Sequence, residues 1–251
     1  MTDSSTRPAK PQTQLVVTDT ERVTPGMVRL TFTSENLGAF DGSVFTDRYV
    51  KLVFETPDGP VLRTYTALDP DLERRTLTID FVVHGTEGVA GPWAAAAQPG
   101  DTIVARGPGG AYAPDPSADW HLFAGDEAGL PAIRAALADL PADAVGHAVV
   151  AVAGPGHEQP LAAPAGVEVT WLTSGDDADL VSTVRALPWR EGRLQAFVHG
   201  EAEAVMHGIR PYLLKERGVP REDVSISGYW RRGRTEEGFR AWKRDLAAVE
   251  S

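Results

Sequence analysis

The 251-residue chain contains no cysteine. That removes disulfides, iron–sulfur clusters and thiolate zinc sites. Any redox chemistry must then run on a bound organic cofactor or on a metal held without thiolate, and the absence also fits a cytoplasmic location. No apolar run approaches the ~20 residues that a membrane helix needs, so no membrane insertion is expected. Residues 1–14 are polar and contain proline, without an apolar signal core, and are expected to form a disordered lead-in. Cations are scarce: 24 Lys and Arg stand against 35 Asp and Glu, a formal net charge of -11. That balance argues against nucleic-acid or anionic-membrane binding across the whole surface and leaves room only for a local basic site.

What is present is a chain of ordinary globular composition, long enough for one large or two medium domains. From Leu15 to about Tyr112 it reads as six short β runs (Leu15–Thr18, Val28–Thr33, Tyr49–Glu55, Val61–Leu68, Thr76–His84 and Thr102–Arg106), punctuated by Thr24-Pro25-Gly26, Pro57-Asp58-Gly59, Asp69-Pro70 and Pro99-Gly100. Strands at hairpin spacing predict an antiparallel barrel over 15–112, with one short helix near Trp93. Residues 113–119, rich in Pro, Asp and Ala, read as a linker. From Trp120 strands and helices alternate, which predicts a Rossmann-like parallel sheet over 120–251. The basic segment Gly228–Arg234 and a terminal helix over Glu236–Val249 complete it. The fold class is thus β followed by α/β.

The most informative stretch is Arg63-Thr64-Tyr65-Thr66, with Asp80 to Gly85 following. On a strand, Arg63 and Tyr65 share one face, and Thr64 and Thr66 the other. A guanidinium beside a phenol ring suits a flat anionic ligand such as FAD, the ring stacking and the cation taking phosphate oxygens. A cross-strand Arg–Tyr pair without a ligand is the alternative. Further along, Gly88-Val89-Ala90-Gly91-Pro92-Trp93 reads as a turn feeding a short helix, whose amides could receive a pyrophosphate.

A strand carrying Arg-x-Tyr-Thr, a strand ending in His84-Gly85, a Gly-rich helix start and the turn Pro99-Gly100-Asp101 follow one another here. In that order the segment resembles the flavin-binding barrel of the siderophore-interacting protein family, within the ferredoxin-reductase-like flavoproteins. Gly125-Asp126-Glu127 at the first strand–helix turn, Gly200-Glu201, and Gly228-Tyr229-Trp230-Arg231-Arg232-Gly233-Arg234 carry the resemblance through the second half. It departs from the family at Leu68, Val89, Gly91, Ala128, Gly129 and His199.

The resemblance implies an NAD(P)H-dependent ferric-siderophore reductase using FAD and either NADH or NADPH. Electrons would pass to a ferric siderophore and release Fe(II) in the cytoplasm. The implied cofactor-binding residues are Arg63, Tyr65, Thr66, Asp80, Val82, His84, Gly88, Ala90, Gly91 and Trp93 on the barrel. Gly125, Asp126, Glu127, Gly200, Glu201, Tyr229 and Trp230 are those of the second half. No protein metal ligands are implied, and no catalytic group beyond the flavin. Anionic catecholate siderophores would be drawn by Lys51, Arg48 and the tail residue Arg231. The protein is expected to act as a monomer.

Read without the family, Asp126 or Glu127 would cap the helix. Glu158 either takes ribose hydroxyls or is a solvated loop acid. Two other functions stay open on the same residues: a flavin reductase serving a protein acceptor, and a flavin-free siderophore-binding module.

Overall fold

A computed structural model describes residues 11–85 and 88–233. The expected terminal helix at 236–249 lies outside the described residues. Seven strands build the first sheet: β1 (Gln12–Thr24), β2 (Met27–Thr33), β3 (Tyr49–Phe54), β4 (Val61–Thr66), β5 (Leu68–Asp71), β6 (Thr76–Val82) and β7 (Thr102–Gly109). They run in the order β4-β3-β7-β1-β2-β6-β5, all pairs antiparallel.

The sequence predicts six strands; the seventh arises because the run Val61–Leu68 breaks at Ala67. There the amide turns to the Arg48 carbonyl, 2.8 Å away, and β5 continues with Asp69 at φ +48. The sheet curls without closing by hydrogen bonds, since its two ends are β4 and β5. Tyr65 on β4 reaches across to Phe81 on β6, ring centroids 4.4 Å apart. Leu30, Phe32, Leu52, Leu77, Ile79 and Phe81, each 1% exposed or less, fill the interior. The helix α1 (Ala90–Ala96) lies over one side and adds Ala90, Ala94 and Trp93 to that core.

β1 begins at Gln12, three residues before the expected start, because Gln12 to Val16 pair with β7. It also runs on to Thr24 through two bulges. Residues 18–22 are exposed on both faces, so the apolar alternation that marks a strand is missing there.

The second sheet has β8 (Trp120–Asp126), β9 (Val145–Ala151), β10 (Gly166–Leu172), β11 (Leu194–Glu201) and β12 (Val224–Trp230), all parallel, in the order β10-β9-β8-β11-β12. The helices α2 (Leu130–Asp139) and α3 (Asp177–Ala186) cover it; Asp176 caps α3 by accepting the Ala178 amide at 2.9 Å. After β11 the chain winds into wide turns over Glu203–Ile209 and Tyr212–Glu216, where N–H groups bond carbonyls five residues back, as Arg210 does to Val205 and Arg217 to Tyr212. β11 runs to Glu201 and β12 to Trp230, so Glu201, Tyr229 and Trp230 are carried on strands.

The halves share a core. Met27, at the β1–β2 turn and fully buried, packs in one cluster with Phe123, Val150 and Phe197 of the second sheet and Leu130 and Ile133 of α2. Arg29 on β2 forks onto Asp80 on β6 at 2.8 and 3.0 Å, and Arg134 on α2 reaches the same carboxylate at 2.8 Å. The segment expected as a linker is held firmly. Arg193 donates to the Asp115 carboxylate and the Ser117 hydroxyl, its amide donates to Asp119, and its guanidinium also pairs with Asp223.

Candidate active site

β4 is a terminal strand, and among the described residues no strand pairs with its outer edge. Its Arg63 and Tyr65 share one face, opposite Leu52 and Val50 of β3. Both are half-buried, while Thr66, on the other face beside Tyr49, is buried. Tyr65 rests on Phe81. Trp93 lies edge-on to Phe54 at 5.7 Å and 6.0 Å from Phe81, so the Arg-x-Tyr-Thr strand and α1 meet over one aromatic floor.

β6 stops at Val82, earlier than the strand predicted to reach His84, and the chain turns at Gly85 (φ +61). His84 and Gly88 are exposed, Gly91 is half-buried and Ala90 is buried. Gly88 adopts φ +77 with nothing within 4 Å of where a Cβ would stand. Beside this turn a groove of about 460 Å³ runs between Phe54, Glu55 and Thr56 at the end of β3 and Val89, Trp93 and Ile103. An open strand edge, a half-exposed phenol ring, an arginine two residues away and a roomy glycine turn fit a flavin dinucleotide. Asp80 differs from the rest of the set: its side chain is 1% exposed and both oxygens are taken by Arg29 and Arg134. Val82 packs toward the second sheet's core.

In the second half the structure brings Gly125, Asp126, Gly200, Glu201 and Trp230 into one cluster at the carboxyl ends of β8, β11 and β12. Asp126 is buried. Its Oδ1 accepts the Ala128 and Gly129 amides at 2.9 and 3.2 Å, and its Oδ2 accepts the Glu201 amide and the Trp230 indole N–H, both at 2.7 Å. A Cβ on Gly200 would press on that carboxylate, and one on Gly129 would collide with the His199 carbonyl. Glu201 accepts the Ala204 amide at 3.0 Å and the Arg232 amide at 3.1 Å. Together the two acids fasten the strand that carries Tyr229, which stands edge-on to His199 at 4.8 Å and within electrostatic reach of Asp47 and Tyr49 on the barrel.

Glu127 is spent on the Ala153 amide at 3.2 Å and His157 Nδ1 at 2.8 Å, and His157 packs against Gly26 of the barrel. Glu158, one of the open readings, accepts its own loop's Gly156 amide at 2.7 Å.

Burial pushes Asp126 up to about 6, against the pull of its four donors, Trp230 foremost. Its folded pKa therefore lies above the ordinary carboxylate value. Its contribution to stability is fully present below that value and is lost as pH rises through about 6. A proton must land on an oxygen already accepting two N–H groups, so protonation loosens either the Trp230 bond or the α2 turn. Indole fluorescence should titrate with a midpoint near pH 6, and Trp230→Phe should remove that transition. A transition that persists in the variant would assign it to another group.

The three expected substrate cations fare differently. Arg48 donates to the Ser43 carbonyl at 3.0 Å and braces its own loop. Arg231 pairs with Glu203 at 2.9 Å. The Lys51 side chain has no hydrogen-bond or ion-pair partner among the described residues. Because Val50, Leu52 and Phe54 point inward, Lys51 points outward. Directly across from it on β7 stands Arg106, outward because Ile103 and Ala105 are buried, its Nε buried without a partner. Like charges facing across a ladder repel, so the pair is suited to an anion lying over it. Sequence reading missed Arg106, since only the β3–β7 register puts it beside Lys51. Lys51 and Arg63 lie on opposite faces of the β3–β4 ladder, which meet at the free edge of β4.

A curled antiparallel sheet joined through a shared core to a parallel sheet is the fold of the ferredoxin reductases, and the ferredoxin reductase in carbazole 1,9a-dioxygenase superposes with a TM-score of 0.70 at 16% identity, covering 90% of this chain and 71% of that one. The sequence model described as siderophore-interacting protein matches residues 118–233, and that of the siderophore-interacting FAD-binding domain matches 16–61 and 54–112. The chain belongs to the siderophore-interacting protein family. It is 46% identical over 270 aligned positions to an uncharacterized protein of Mycobacterium tuberculosis, covering 94% of this chain and 95% of that one. It is 33% identical to the ferric vibriobactin reductase ViuB of Vibrio cholerae, covering 86% and 88%. The crystal structure of a siderophore utilization protein from T. fusca superposes with a TM-score of 0.81 at 36% identity, covering 91% and 95%. No helix among the described residues is long and apolar enough to cross a membrane.

Proposed function

We propose that the chain is a ferric-siderophore reductase that binds FAD on the barrel domain (15–112), takes electrons from NADH or NADPH through the α/β domain (120–251), and works as a cytoplasmic monomer. Arg63 would hold the pyrophosphate of FAD, Tyr65 would cover one face of its ring, and Thr66 would offer a hydroxyl at the ring's edge. His84, Gly88, Ala90 and Gly91 would line the phosphates, with Trp93 beneath. Bound FAD would supply the conversion of a two-electron donor into the single electrons that take Fe(III) to Fe(II). The second sheet would take up the nicotinamide donor, with Asp126 and Glu201 fastening Trp230 and the strand end that carries Tyr229.

The observation that carries the reading is the free edge of β4, with Arg63 and Tyr65 on one face and the Lys51–Arg106 pair on the other. A ring laid along that edge is reachable by an anionic chelate resting on the cations. Arg48 and Arg231, tied to Ser43 and Glu203, would shape the rim more than grip the ligand.

The test is anaerobic reduction of the FAD-loaded protein by NADH and by NADPH, followed by addition of a ferric catecholate siderophore and an Fe(II) trap. Reoxidation with one trapped Fe(II) per electron supports the reading; reoxidation by a protein acceptor alone overturns it. Charge reversal sharpens the test. Lys51→Glu or Arg106→Glu should raise the KM for the ferric catecholate about tenfold at low salt, and the gap should shrink in high salt. The rate with a neutral small-molecule acceptor should stay unchanged in either variant.

A further inference from the structure

The loop between Asp41 and β3 shows its most apolar residues to solvent: Val44 is 70% exposed and Phe45 37%. The exposure is not slackness. Thr46 is bound to the Tyr112 carbonyl through its amide at 2.9 Å and its hydroxyl at 3.4 Å. Asp47 accepts the Ala111 and Tyr112 amides, each at 2.9 Å. Arg48 closes the loop's base on the Ser43 carbonyl. A tip held on both sides is ordered before any ligand arrives, so little conformational freedom is left to lose on binding.

Its surroundings indicate what it meets. The Phe45 ring lies against Gly110 and the Tyr49 ring against Gly109, each where a Cβ would stand. Two aromatic rings thus pave consecutive glycines at the end of β7. Tyr49 shares the outward face of β3 with Lys51, and Lys51 faces Arg106. Two cations without partners among the described residues therefore border an aromatic, partly exposed rim. A ligand suited to both carries negative charge and flat apolar rings in one molecule.

We propose that Val44 and Phe45 form a selectivity rim of the substrate site, which takes the aryl arms of a ferric chelate while Lys51 and Arg106 take its charge. The site would prefer aromatic over aliphatic anionic chelates. This rests on the reductase reading and names its substrate class. A second copy of the chain seated on the rim is the competing occupant.

The experiment uses the full FAD-loaded chain and two anionic probes, the ferric complex of 2,3-dihydroxybenzoate and ferric citrate. Binding is followed by quenching of tryptophan fluorescence. Wild type should bind the aryl complex more tightly. Val44→Ser with Phe45→Ser should weaken it about tenfold and leave ferric citrate within about twofold; both side chains are exposed, so the fold is retained. Equal weakening of both probes, or of neither, overturns the rim. So does a wild-type dimer in sedimentation that the double variant abolishes. Wild type that binds neither probe overturns the reductase reading itself, a result distinct from wild type that binds both and a variant that changes nothing.

Discussion

Asp80→Ala should lower the melting temperature by roughly 6–12 °C, the largest loss expected from any single side chain outside the apolar core. Asp80 lies within the stretch expected to hold the flavin, yet it touches two arginines: Arg29 through both oxygens and Arg134 through one. Its side chain is 1% exposed, against 25% and 19% for the arginines. Removing it strands two guanidiniums that are mostly out of water, a loss of about 3 kcal/mol. Arg134→Met should lose less, about 1 kcal/mol, because the forked Arg29 pair survives and the methionine stem still covers α2. The arginines come from both halves of the chain, so thermal unfolding of Asp80→Ala should also lose cooperativity as the domains melt apart. Differential scanning calorimetry of the two variants decides it. If Asp80→Ala melts like wild type and instead loses FAD, the carboxylate serves the cofactor and not the joint between domains.

Much of this architecture was legible because the alternation is local. Val28-Arg29-Leu30-Thr31-Phe32 writes its buried face into every second residue, and the change to strand–helix rhythm after Trp120 marks the second sheet. The Arg63–Tyr65 face could be read for the same reason, since a strand fixes which neighbours share a side. What stayed hidden depends on pairing between distant segments. Arg106 looks like any strand-end cation until β3 is laid beside β7. Asp126 looks like a cap; it does hold the α2 turn, but its other oxygen ties down Trp230, 104 residues away, which no local pattern encodes. The seventh strand was missed because no glycine or proline marks Ala67, and the break lies in a backbone bond to Arg48. Residues 18–22 were missed as strand because paired backbone exposed on both faces leaves no apolar signal.

Arg63→Ala should weaken FAD binding by roughly ten- to a hundredfold, about 1.5–3 kcal/mol, the range for hydrogen bonds to a charged group. β4 is a terminal strand of the first sheet. Its half-buried Arg63 stands one alternation from the Tyr65 ring, and among the described residues no strand pairs with its outer edge. The Arg63 guanidinium donates from Nη1 to the Leu62 carbonyl at 3.1 Å, and on the proposed reading its fork would meet the pyrophosphate oxygens of FAD. Arg63→Lys should recover charge but not the fork, and so fall between alanine and wild type. Tyr65→Phe should keep most of the affinity, because stacking needs the ring and not the hydroxyl, whereas Tyr65→Ala should lose it and also expose Phe81 beneath. The measurement is the dissociation constant of FAD for each deflavinated variant by calorimetry, with melting temperature as the control for folding. If Arg63→Ala holds FAD as wild type does while Tyr65→Ala releases it, the pyrophosphate lies elsewhere, and His84 with the amides of Gly88, Ala90 and Gly91 must neutralise it alone.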